Sequence, residues 1–109
     1  MGPLADALGE VLSYLRARDQ HGSRHDGVVV LERRPVAADH VLLLGYVWEI
    51  DQHVSPLSVD VTIGHAAHSV IMRLGDPTRR WTAAEVERTW RKGRLTPDSI
   101  PWRWSYTFG

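Results

Sequence analysis

Three features of this 109-residue sequence predict an α+β fold with an antiparallel sheet: helical periodicity confined to two segments, four closely spaced strand-like runs between them, and a final stretch that alternates aromatic and polar residues. The order they give is an N-terminal helix, a four-stranded antiparallel meander, a second helix and a C-terminal strand or extended arm. A single domain over 1–109 is expected, arranged in two layers with the helices mainly on one face of the sheet.

In the first helix Leu4, Leu8, Val11, Leu12 and Leu15 recur at helical spacing after Pro3, with Asp6, Glu10, Ser13, Arg16 and Arg18 off the stripe. The polar, glycine-punctuated stretch Asp19 to Gly27 reads as a loop. Strand-like runs follow at Val28 to Arg34, His40 to Ile50, Leu57 to Ile63 and Ser69 to Leu74. They are separated by Pro35, by Ser55 and Pro56, by Gly64, and by the Gly75-Asp76-Pro77 turn. Connections this short suit antiparallel neighbours, because parallel pairing requires long crossovers.

The third run alternates, with Leu57, Val59, Val61 and Ile63 against Ser58, Asp60 and Thr62. A turn over 51–56 would pair Ile50 with Leu57, Trp48 with Val59 and Tyr46 with Val61, so that every core-facing pair is apolar. That register puts Val41, Leu43, Gly45, Val47 and Glu49 on the other side of an unusually apolar strand. A second apolar face of this kind calls for a cover, a ligand or a subunit partner.

The second helix has the clearest start. Thr82 and Glu85 form the T-x-x-E capping box, and Trp81 and Val86 stand at the spacing of a hydrophobic staple. Arg91 and Lys92 suit the negative end of the helix dipole, Gly93 supplies the stop, and Ala83, Val86 and Trp90 make the apolar stripe. Beyond the polar turn at Thr96-Pro97-Asp98, Trp102, Trp104, Tyr106 and Phe108 alternate with Arg103, Ser105 and Thr107, a period of two.

Composition narrows the function classes. With 43% hydrophobic and 24% charged residues the chain is expected to fold. It has no cysteine, which excludes disulfides, thiolate metal sites and a cysteine nucleophile. Apolar runs no longer than the four residues Val41 to Leu44 are far too short for a membrane span, and the N-terminus lacks the pattern of a signal peptide. A cytoplasmic protein of bacterial style, without membrane association, is the expectation. Net charge is zero, yet residues 1–72 hold five basic and nine acidic groups while 73–109 hold eight and four. Folding can bring the two parts together to neutralise each other, or the basic part can meet an anionic partner.

Catalytic and metal signals are weak. His40, His65 and His68 should gather at one end of a meander, and His21, His25 and His53 at the other, with Asp26, Asp39 or Asp51 near enough to complete a metal shell. Histidines spaced along loops lack the fixed geometry of the same spacing on a helix, so solvated side chains are the plainer reading. In the register above, Glu49 and Asp60 are diagonal neighbours about 7 Å apart, close enough to divide acid and base roles if burial separates them. No phosphate-binding glycine loop and no nucleophilic serine motif is present, and no cofactor is implied.

The strongest signal is in residues 79–109, which contain four of the five tryptophans and six of the twelve arginines. These side chains dominate binding hot spots, since each joins a large apolar body to a directional polar end. Trp48, Trp81 and Trp90 sit at core positions of helix and strand. Trp102, Arg103, Trp104, Tyr106 and Arg94 are therefore the candidate partner-binding residues. The expectation is a non-catalytic domain that occludes or stabilises a protein partner, as immunity proteins and chaperones do, with a homodimer as the form that self-association would take. The alternatives are a ligand-binding domain or enzyme on the sheet face around Gly45, Val47, Glu49, Asp60 and Thr62, and nucleic-acid binding through the basic helix and arm. The overall neutrality of the chain speaks against nucleic acid.

Overall fold

Five strands run in sequence order, β1-β2-β3-β4-β5, each antiparallel to the next. The structure, a computed structural model, describes residues 2–18, 27–49, 53–76 and 78–108. The elements are α1 (Pro3–Arg18), β1 (Val28–Ala37), β2 (His40–Trp48), β3 (Val54–Ile63), β4 (His68–Leu74), α2 (Ala83–Arg91) and β5 (Trp102–Phe108), with a 3₁₀ turn at Pro97–Ser99 before the last strand. The expected α+β class and element order are present. The terminal segment, which the sequence allowed as either strand or free arm, is a strand seven residues long and fully paired with β4.

The layering differs from the two-layer expectation. Ala7, Leu8 and Val11 of α1 pack on Val41, Leu43, Leu57, Val59 and Val61, while Val86 of α2 packs with Leu42, Leu44 and Tyr46. Successive strand residues point to opposite faces, so odd-numbered β2 positions meet α1 and even-numbered ones meet α2. The two helices thus lie on opposite faces of the sheet, enclosing β2 and its neighbours in three layers. β2 is buried at seven consecutive positions, from Val41 to Val47, which explains its continuous apolarity. The cover that its second face required is supplied by the chain itself.

The β2–β3 register is also different from the expected one. Val54 pairs with Trp48, Pro56 with Tyr46, Leu57 with Gly45, Val59 with Leu43 and Val61 with Val41. The strand begins at Val54, so Ser55 and Pro56 belong to it and not to a turn. Proline is tolerated because the Pro56 carbonyl accepts from the Gly75 amide at 3.0 Å, on the side away from β2. The amide and carbonyl of one strand residue point the same way, so the missing N–H removes no bond to β2. The slip is an odd number of residues, which exchanges the two faces of β2 relative to β3. Because β2 is apolar on both faces, hydrophobic pattern could not choose between the registers.

Two glycines carry specific constraints. A Cβ on Gly45 would collide with the backbone carbonyl of Val29 in β1, where the strands approach closely beside a register irregularity between Val30 and Glu32. Gly93 has φ of 71° and donates to the Trp90 carbonyl at 2.9 Å, terminating α2 as expected. At the other end of α2 the capping box is complete: the Glu85 amide donates to Thr82 Oγ1, and the Thr82 amide to Glu85 Oε1, each at 3.1 Å. The side chains of Leu12 and Leu15, and the loop with His21, His25 and Asp26, lie outside the described residues.

Candidate functional site

β5 places Trp102, Trp104 and Tyr106 on the α1 side of the sheet, opposite Leu74, Met72 and Val70. Tyr106 is half-buried against the core there. Trp102 and Trp104 extend past the cover that α1 gives to β1 and β3, and keep 48% and 39% of their surface exposed. Their ring centroids are 6.0 Å apart with planes tilted by 34°, a preferred range for aromatic pairs. Arg103 points to the other face and is exposed.

Next to the indoles is an open cleft of about 340 Å³, lined by Trp102, Trp104, Arg79 and Arg80 and also by Glu49 and His53. The arginines are set in place by backbone geometry upstream of α2. The Asp76 carboxylate accepts from the Thr78 amide at 2.8 Å and from Thr78 Oγ1 at 2.7 Å, and the Arg79 amide donates to the Asp76 carbonyl at 3.0 Å. The Thr78 amide and then its hydroxyl hold the Asp76 carboxyl below its ordinary range. Arg79 rests its guanidinium 3.5 Å from the ring centre of Trp81, a cation–π contact. Trp81 in turn accepts from the Val54 amide at 2.9 Å and from His53 Nδ1 at 3.3 Å. The 79–81 segment therefore extends the sheet beside the start of β3, where β4 has already ended.

Arg94 is placed elsewhere. It lines a separate hollow of about 300 Å³ below the end of α2, with Trp81, Leu95, Ile100 and Pro101 among the neighbours, and with Arg79 between the two cavities. The five candidate partner-binding residues are thus divided: Trp102 and Trp104 share a surface, Tyr106 lies inward on the same side, and Arg103 and Arg94 face other directions. Periodicity had separated Trp102 and Trp104 from the core tryptophans, but it held no signal for His53 or for the apposition of Arg79 and Arg80, which depends on the Val54–Trp81 bridge.

The other candidates are dispersed. Glu49 follows β2 at the β2–β3 end of the sheet, while Asp60 lies opposite Leu42 and on the other face. The diagonal Glu49–Asp60 pair expected from the earlier register does not form. Asp60 instead pairs with His40 Nε2 across β2 and β3. His40, His65 and His68 do lie at one end of the meander, but His40 is on the α2 side, His68 is paired with Ile63 on the α1 side, and His65 is in the exposed turn between β3 and β4. Among the described residues no group of three or more His, Asp or Glu side chains could hold a metal ion. Gly45 and Val47 are on the α1 side and Asp60 and Thr62 on the α2 side, so these residues do not line a common cup. Among the described residues no helix is long and apolar enough to cross a membrane.

Comparisons with protein-family models, curated proteins and solved structures find no match to this chain.

Proposed function

We propose that the chain is a non-catalytic protein-binding domain whose contact surface is the exposed indole pair of β5 together with the adjoining Arg79 and Arg80 cleft. One observation carries this reading: apart from Trp102 and Trp104, the exposed large hydrophobic residues among those described are only Val30 and Val36 of β1. Two adjacent indoles left about half in water are a costly arrangement unless a partner covers them. Neighbouring guanidinium groups add hydrogen-bonding capacity and charge to the apolar anchors, the composition of a binding hot spot.

The test is affinity capture from the native host, using the wild-type chain and the Trp102→Ala/Trp104→Ala double variant, with mass spectrometry of what is recovered. A protein retained by the wild type and lost by a variant that remains folded, with cooperative unfolding and an unchanged circular dichroism spectrum, supports the reading. Equal recovery by both chains, or a variant that unfolds without a separable loss of binding, refutes it. For a true hot spot each truncation weakens binding by about 2 kcal/mol or more.

A further inference from the structure

The two edges of the sheet are built differently. β1 carries Glu32, Arg33, Arg34 and Pro35 and has two register irregularities, at Val30/Glu32 and Pro35/Ala37. Charges, proline and bulges are the devices by which proteins keep an edge strand from pairing with another chain. β5 has none of them except the single charge of Arg103: its seven residues pair with β4 without interruption and include no proline. Its outer edge has no sheet partner among the described residues, and the helices pack on β1, β2 and β3.

The sequence of β5 is compatible with itself. An antiparallel pair of β5 strands with the two-fold axis at Ser105 sets Trp102 opposite Phe108, Arg103 opposite Thr107 and Trp104 opposite Tyr106 of the second copy. All seven residues are used, Trp104 and Tyr106 meet in both directions on the α1 side, and no like charges oppose each other. Moving the axis to residue 103 would bring the two Arg103 side chains together, which is unfavourable. Aromatic cross-strand pairs are among the more stabilising in antiparallel sheets, and an isologous two-fold contact is the most common route to a soluble oligomer.

We infer that the β5 edge is occupied by β5 of a second copy, joining two sheets into one of ten strands about an axis at Ser105. This rests on the reading of β5 as the contact strand, and it makes the indole surface two-fold, with the Arg79 and Arg80 clefts at its two ends.

Ser105 is exposed, so a charge there leaves the monomer intact while setting like charges against each other on the axis. The wild-type chain is expected to sediment at twice its 12.3 kDa mass. Ser105→Lys and Ser105→Glu should each sediment as monomers with unchanged circular dichroism, and an equimolar mixture of the two should recover the dimer. A wild type that is monomeric at its highest soluble concentration overturns the inference. So does a dimer that survives both substitutions, or monomeric variants that fail to reassociate when mixed. Since the chain has no cysteine, Ser105→Cys gives a second readout: it should form an intermolecular disulfide under oxidation, because directly opposed residues lie within bridging distance. Arg103→Cys, opposite Thr107, should not. Partner capture that depends on Trp102 and Trp104 but persists in Ser105→Lys would leave the protein-binding reading standing without the dimer.

Discussion

Trp90 Nε1 donates a hydrogen bond of 3.0 Å to Glu32 Oε1, tying α2 to β1 across 58 positions of sequence. The same carboxylate forms an ion pair of 2.8 Å with Arg34. The Trp90 hydrogen bond, followed by Arg34, holds the Glu32 carboxyl below its ordinary value of 4.5.

A carboxyl whose folded pKa is depressed contributes stability above its unfolded pKa and loses it as pH falls through the folded value. Glu32 therefore stabilises the fold at neutral pH, and that contribution declines as pH falls below the ordinary value of 4.5 and is gone once pH is below the lowered folded value. Glu32→Gln should cost about 1 kcal/mol at neutral pH, a figure discounted for partial solvent exposure. Urea unfolding at neutral and acidic pH should show a smaller difference between variant and wild type in acid.

Tyr46 responds in the opposite direction. Burial, and then the nearby Glu87 charge, raise its phenol above the ordinary value of 10.0. The stabilisation associated with the neutral phenol is fully present below that value and is lost as pH rises through the raised one. Tyr46→Phe should make stability less sensitive to alkali. Unfolding midpoints that decline identically for both chains above about pH 10 would contradict this assignment.

Gly45→Ala should be among the most destabilising single changes, by about 3 kcal/mol or more, because the added methyl meets the Val29 backbone and not a side chain that can rotate away. Thermal unfolding measures it directly. Gly9→Ala, where a Cβ meets nothing within 4 Å on the helix, is the matched control and should be neutral or stabilising.

Truncating Trp102 or Trp104 should be cheaper than truncating a core residue. Val86 and Ile100 are at most 1% exposed, whereas these indoles keep 48% and 39% of their surface in water. A loss of about 1 kcal/mol is expected for each, against about 3–5 for a fully buried tryptophan. Losses near the upper range would place both indoles in the core.

The sequence was most informative where signals were local. Thr82, Glu85 and Gly93 delimited α2 because caps act within one turn, and the alternation of Trp102, Trp104 and Tyr106 marked an extended segment, strand or arm, because strand pattern has period two. Pairing was harder to read. Tyr46 could face Val61 or Pro56 with equal apolar match, so the hydrophobic pattern alone did not select the observed register. The Glu49–Asp60 pair failed with that register, and the two-layer expectation failed because β2, apolar on both sides, gave no indication of which helix covers which face. The cleft was least legible, since Arg79, His53 and Trp102 are brought together by tertiary contacts with no sequence period.

The sequential strand order has a consequence for the time course of folding. β1 and β2 join across a two-residue turn at 38–39, and β3 meets β4 across 64–67, whereas β5 reaches β4 only after the whole 75–101 connection has been closed. Each doubling of a closed loop adds about 0.6 kcal/mol of entropic cost, so β5 is the strand whose docking is deferred longest and whose departure requires the fewest other contacts to break. In a monomeric chain such as Ser105→Lys, amide hydrogen exchange should then be slowest in β2 and β3 and fastest in β5. The strand that displays the indoles would open in partial unfolding events before the rest of the sheet, and a partner gripping it would slow that exchange.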